Sequence, residues 1–211
     1  MVFRRLGLLS ILVIGLLSGC LRDKRERICF LQKEHVINNV GSRMATGTVS
    51  RVVVLPLFNY GAEISEADLE KLQNNFLHAF LKKGTFECIF EKTNQWIDFS
   101  RAIPRDLFEN LKSKYAADAV LFMGITHYSP YVPVKIGVKM QLIELVSHKI
   151  IWGLDEVFDA SQEEVFYGVR RFQRKYGLNS FETLNDIGQL SPGYFSTYVG
   201  EKICETLPES F

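Results

Sequence analysis

Arg51-Val52-Val53-Val54-Leu55-Pro56-Leu57 is the stretch from which the fold is read. The run is apolar at consecutive positions rather than at alternate ones. A strand built from it has no face to offer water, so it belongs to a sheet covered on both sides. Working outward, a loop carrying Asn59 and Gly61 leads to Ser65-Glu66-Ala67-Asp68. Ser65 is a helix cap and the acidic residues suit a first turn. Leu69, Leu72, Phe76 and Phe80 then recur at helical spacing, and Gly84 supplies the stop. Phe86 to Phe90 reads as a short strand. Pro104 fits the first turn of a second helix with Leu107, Phe108, Leu111 and Tyr115 inward. Ala119 to Ile125 is a further apolar strand, which completes a β-α-β-α-β order.

Beyond it the period changes. Val134, Ile136, Val138, Met140 and Leu142 alternate with Lys135, Gly137, Lys139 and Gln141, the pattern of a half-buried strand. Residues 146–149 make a turn and Ile150 to Val157 returns, which predicts an antiparallel hairpin. Asp159 with Gln162 has the form of a capping box for a third helix, with Val165, Val169, Phe172 and Tyr176 inward. Residues 177–190 read as a loop. Ser191-Pro192 opens a last helix to about Leu207, with Phe195, Tyr198, Val199 and Ile203 inward. The expected fold class is α/β, with a mixed sheet of about five strands in the order β-α-β-α-β-β-β-α-α, covered by helices, as a single globular domain over 50–211.

The N-terminus directs the chain elsewhere than the cytoplasm. Arg4 and Arg5 precede an apolar run from Leu6 to Leu17, and Leu17-Ser18-Gly19-Cys20 follows. Charge, apolar core and small residues at a cut site form a signal peptide, here 1–19, and the run is short for a membrane span. The four residues resemble a bacterial lipobox. That resemblance implies cleavage before Cys20, acyl chains (palmitate among them) on Cys20, and a lipid-anchored protein. By the sorting rules of such lipoproteins, Leu21 in place of aspartate implies the periplasm-facing side of the outer membrane. Several acyl chains hold where one does not. Residues 20–49 are expected to be the lipidated end and a flexible tether, charged from Arg22 to Arg27 and rich in Asn, Gly, Ser and Thr from Asn38 to Gly47.

A formal net charge of +1 gives no bulk attraction to nucleic acid, and none is expected as a partner. With Cys20 acylated, Cys29, Cys88 and Cys204 remain, enough for one internal disulfide at most. Cys88 on a strand and Cys204 on a helix face read first as small buried hydrophobes. None of His35, His78, His127 and His148 lies three or four residues from another, and GxSxG and GxxxxGK[ST] are absent. Asp155, Glu156 and Asp159 are the one compact acidic group, placed where strand ends and caps recruit carboxylates. No catalytic residue, metal site or cofactor is assigned, and the chain is not expected to be an enzyme.

Two features suggest contacts. Tyr128-Ser129-Pro130-Tyr131-Val132-Pro133 is longer than a tight turn needs, and tyrosines bring contact area at low entropy cost. Tyr128, Pro130, Tyr131 and Pro133 are the candidate partner-binding residues. Arg170, Arg171, Arg174 and Lys175 form a basic helix face, a candidate contact for an anionic lipid or glycan.

Several segments resemble a periplasmic lipoprotein superfamily that includes the curli-secretion channel lipoprotein and the penicillin-binding-protein activator lipoproteins. They are Arg51 to Asn59 as the opening strand, Ala117-Asp118-Ala119-Val120-Leu121-Phe122, and the hairpin from Leu142 to Val157 with Trp152. The resemblance spans about 50–207. It implies a non-catalytic, membrane-tethered envelope lipoprotein that acts as an interaction, assembly or regulatory module. The alternative it implies is an oligomeric component of an outer-membrane secretion or transport apparatus. A homo-oligomer is left open, and the envelope protein partner is not specified. The channel member carries two additional membrane-spanning hairpins, whereas this chain has one long hairpin, over 134–157.

Overall fold

The computed structural model describes residues 40–92, 97–176 and 190–211. The signal peptide, Cys20, Cys29, most of the expected tether and the loop expected over 177–190, apart from Leu190, lie outside them. The described chain runs β1 (Val40–Ser42), β2 (Arg51–Val54), β3 (Phe58–Asn59), α1 (Glu66–Lys83), β4 (Glu87–Phe90), α2 (Arg105–Tyr115), β5 (Ala119–Ser129), β6 (Lys135–Glu144), β7 (Ile150–Asp159), α3 (Glu163–Lys175) and α4 (Pro192–Glu205).

The strands form one mixed sheet in the order β1-β7-β6-β5-β2-β4, with β3 also on β5. β2 lies between β4 and β5 and is parallel to both. The antiparallel part is the meander β5-β6-β7, closed at its edge by β1. The class is α/β as expected, and the sheet has seven strands rather than about five. The two additions have no periodicity of their own. β3 is two residues that continue along β5 after Pro56, which cannot donate to a ladder. β1 is three residues held by pairing to β7, Gly41 opposite Gly153.

β1 also revises the tether expected over 20–49. From Val40 onward that segment is docked on the domain. The Arg43 amide donates to the Ile151 carbonyl at 2.8 Å, and Val49 is buried. Thr46 donates to the Glu144 carboxylate from its amide at 2.7 Å and from its hydroxyl at 2.6 Å.

Both faces of the opening strand are covered, as its unbroken apolar run requires. Val52 and Val54 pack with Leu72, Phe76, Phe80, Val165, Val169, Phe195, Val199 and Ile203 under α1, α3 and α4. Val53 and Leu55 turn to a smaller cluster with Phe99, Phe108, Leu111, Val120, Phe122 and Ile143 under α2. Burial of one such side chain contributes about 1.5–3 kcal/mol, so the larger layer carries most of the stability. Ser65 caps α1 by accepting from the Asp68 amide, and Gly84 closes it at φ 67°. Ser191 caps α4 in the same way, through Tyr194. Pro104 stands at the cap position of α2 and not inside its first turn. The capping box expected of Asp159 and Gln162 does not form. Gln162 is the cap residue but makes no side-chain bond, while Asp159 accepts from the Ser161 amide and hydroxyl in the turn before α3.

Candidate functional site

β5 and β6 are joined by the loop proposed as a contact site, and the structure divides its residues. Tyr128 is 8% exposed and packs in the larger core layer. The cause is a bulge. Ala119, Leu121, Met123 and Ile125 face the larger layer in regular alternation. The register then shifts between Ile125 and His127, so that Tyr128, opposite Ile136, rejoins the core face. A bulge of this kind re-aims every side chain beyond it. Gly137 makes room for it, since a Cβ there would stand 2.6 Å from Thr126 Oγ1 and 2.9 Å from His127 Cβ. Tyr128 therefore leaves the contact set and becomes a core residue, its hydroxyl pushed up in pKa by burial and then by Asp68.

The rest of the loop keeps its exposure. Tyr131 is 80% exposed and Val132 49%, while Pro130 and Pro133 are half-buried. Ser129 and Lys135 pair across the base. Beneath them Lys135 Nζ meets Asp159 Oδ2 at 2.7 Å. Burial pushes the Asp159 carboxyl up, but bonds from Lys135 and Ser161 outweigh it and hold it low. The result is an apolar tip, Tyr131-Val132, on a base fixed by a long strand pair and an ion pair.

The basic face of α3 is likewise split. Arg170 and Arg171 are half-buried, with the Arg170 guanidinium 5.7 Å from the Phe166 ring centre. Arg174 and Lys175 are exposed, and Lys175 lies 5.4 Å from the Tyr176 ring centre. Beside this helix end, Lys82 donates to the Tyr176 hydroxyl at 2.6 Å and pairs with Glu201. That network ties α1, the end of α3 and α4 together.

A region not singled out from the sequence lies on the opposite sheet face. α2 covers β2, β5 and the turn end of β6, but Lys139, Gln141, Gly153 and Asp155 are left uncovered. They line a shallow groove of about 620 Å³ together with Gly41, Arg43, His148, Lys149 and Ile150. Alternation in 134–142 did place Lys139 and Gln141 outward. What sequence could not show is that β1 joins this edge and that α2 stops short of it. No group of three His, Cys, Asp or Glu residues able to hold a metal ion occurs among the described residues. Cys88 and Cys204 are both free thiols.

No protein-family model matches the chain, and no curated protein does. Solved structures do show similarity. PelC from Paraburkholderia phytofirmans, solved as a dodecamer, is 15% identical with a TM-score of 0.42, covering 57% of this chain and 78% of that one. The lipoprotein GNA1162 from Neisseria meningitidis is 14% identical with a TM-score of 0.43, covering 63% and 99%. The LpoB C-terminal domain from Escherichia coli is 15% identical with a TM-score of 0.37, covering 55% and 86%.

Proposed function

We propose that the chain is a non-catalytic lipoprotein of the bacterial cell envelope, anchored through Cys20 to the periplasmic side of the outer membrane and acting as a protein-binding module. The observation that carries the reading is the β5–β6 loop, an exposed tyrosine and valine on a base that the fold holds rigid. Tyrosine is among the residues most often found as the anchor of a binding hot spot. The contact set is Pro130, Tyr131, Val132 and Pro133. The mechanism is positional: lipid fixes one end, the residues before Val40 set the reach, and the domain presents the loop to an envelope partner.

Two measurements test it in the full chain. Cys20→Ser is expected to abolish labelling by radioactive palmitate and to move the protein out of the membrane fraction. A photocrosslinker at position 132 is expected to trap one discrete envelope protein. Tyr131→Asp should remove that adduct while the thermal midpoint stays within about 1 °C, the scale of a neutral surface substitution. Adducts that survive Tyr131→Asp would sink the contact assignment, and palmitate retained by Cys20→Ser would sink the anchor. The oligomeric alternative predicts a discrete ring-sized mass for the detergent-extracted protein.

A further inference from the structure

The groove on the uncovered sheet face has a composition that the loop reading does not use. Its floor is nearly bare of side chains where Gly41 stands opposite Gly153, and Gly153 stands opposite Gln141. Nothing lies within 4 Å of a Cβ placed on Gly41. Each end carries a cation. Lys139 rises at one end, opposite Asp155, with Nζ 3.2 Å from Ser100 Oγ. Arg43 and Lys149 rise at the other, beside His148, whose ring stacks on Phe108 at 4.8 Å. Among the described residues, no carboxylate lies within ion-pair distance of Arg43, Lys139 or Lys149. The two ends are separated by five residues of β7, roughly 16 Å at about 3.3 Å per residue.

We propose that this groove binds a chain of anionic polysaccharide bearing a carboxylate on its repeating sugars. Charge sets the sign of the ligand, three cations against Asp155. The floor sets its kind. The floor between β1, β7 and β6 is already paired strand to strand, and the open edge beside it is the outer side of β1, three residues long, so an extended peptide finds only a short ladder to join. The glycine floor has no pockets for peptide side chains. It does accept a broad ring that carries its own polar groups at every residue. No Phe, Tyr or Trp lines the groove among the described residues, and the one ring there, His148, is already stacked on Phe108, so a neutral sugar lacks a broad stacking partner and charge must supply the affinity. A lipid surface would call for apolar side chains to insert, and Ile150 is the one large exposed apolar residue there. The chain's own preceding segment is a poor occupant, because residues 21–39 carry five basic side chains against three acidic ones.

The test is calorimetric titration of the full chain with an octameric polygalacturonate, with neutral dextran, polyglutamate and phosphatidylglycerol vesicles as comparators. Polygalacturonate is expected to bind at low salt and to weaken at least tenfold between 0.05 and 0.5 M salt. The double variant Lys139→Gln/Lys149→Gln should weaken it at least tenfold. Gly41→Val changes no charge, suits a strand and fills the floor, and it should weaken binding by as much with an unchanged thermal midpoint. Tyr131→Asp should leave it unaffected, which separates this site from the loop. No binding of polygalacturonate would overturn the proposal. Full affinity in Gly41→Val, or equal binding of polyglutamate or vesicles, would do so too, by showing that surface charge alone is at work.

Discussion

Glu144 is the residue on which the docked segment before β2 depends. It is 4% exposed, yet it is a carboxylate. Burial pushes its pKa up, but bonds from Ser147 and Thr46, and from the Thr46 and Gly47 amides, more than reverse this and leave it low. Truncation removes the acceptor that those donors share, although Thr46 and Gly47 are exposed and Ser147 is half-buried, so water replaces part of what is lost. Glu144→Ala is expected to cost about 1–3 kcal/mol, the range for losing bonds to a charged group in a partly exposed network, and to speed proteolysis within 40–50, read by denaturant melts and timed trypsin digestion. Glu144→Gln should cost less, since one amide oxygen still accepts. The buried thiols supply a second residue-scale expectation. Burial pushes Cys88 up to about 11, and burial foremost, opposed by Lys83, pushes Cys204 up to about 12. The thiolate is the reactive form. Neither should alkylate in the native protein at pH 8 at the rate seen after denaturation, and mass spectrometry of iodoacetamide-treated samples counts the adducts.

Among the elements, two glycines of the helical layer are expected to act with opposite sign. A Cβ on Gly168 of α3 would run into the Tyr198 hydroxyl of α4, so Gly168→Ala forces the two helices apart. Overpacking of this kind costs about 1–3 kcal/mol. Gly193 sits in the first turn of α4 with nothing within 4 Å of its Cβ position, and Gly193→Ala is expected to gain about 0.5–1 kcal/mol. Thermal melts of the two variants check the pair. These contacts mark where sequence patterns stop. Val52 to Val54, the stripe Leu72-Phe76-Phe80 and the alternation 134–142 were legible because burial imposes period on residues of one element. β1 was not, because its three residues are held by a partner more than a hundred positions away. Tyr128 was misplaced because the bulge after Ile125 leaves no mark in the β5 residues themselves; Gly137, on the facing strand, is its sole trace. The groove was half legible, its lysine and glutamine but not its borders.

At the scale of the whole molecule, four carboxylates with lowered pKa among the described residues fasten separate parts of the fold together. Glu144 holds residues 46–47, Asp159 holds the base of the contact loop, Glu201 joins α4 to Lys82 and Tyr176, and Glu91 joins β4 to Lys114 and Tyr115. Because each folded pKa lies below its unfolded value, the stability each contributes is complete above the unfolded carboxylate range. It is lost as pH falls through the folded value. Raised lysines in the same pairs, Lys82 and Lys114, lose their contribution only at alkaline pH. The thermal midpoint is therefore expected to be flat from about pH 7 to 5.5 and to fall steeply below about pH 4.5, where unfolded carboxylates protonate. Glu144→Gln should start lower and fall less steeply, since one of the four titrating groups is gone. Parallel acid limbs for the two proteins would show that Glu144 is not a fastening charge, and that segment 40–50 is held by its pairing with β7 alone. A limb that flattens only when Glu144 is replaced would make this carboxylate the point at which acid first releases the docked N-terminal segment.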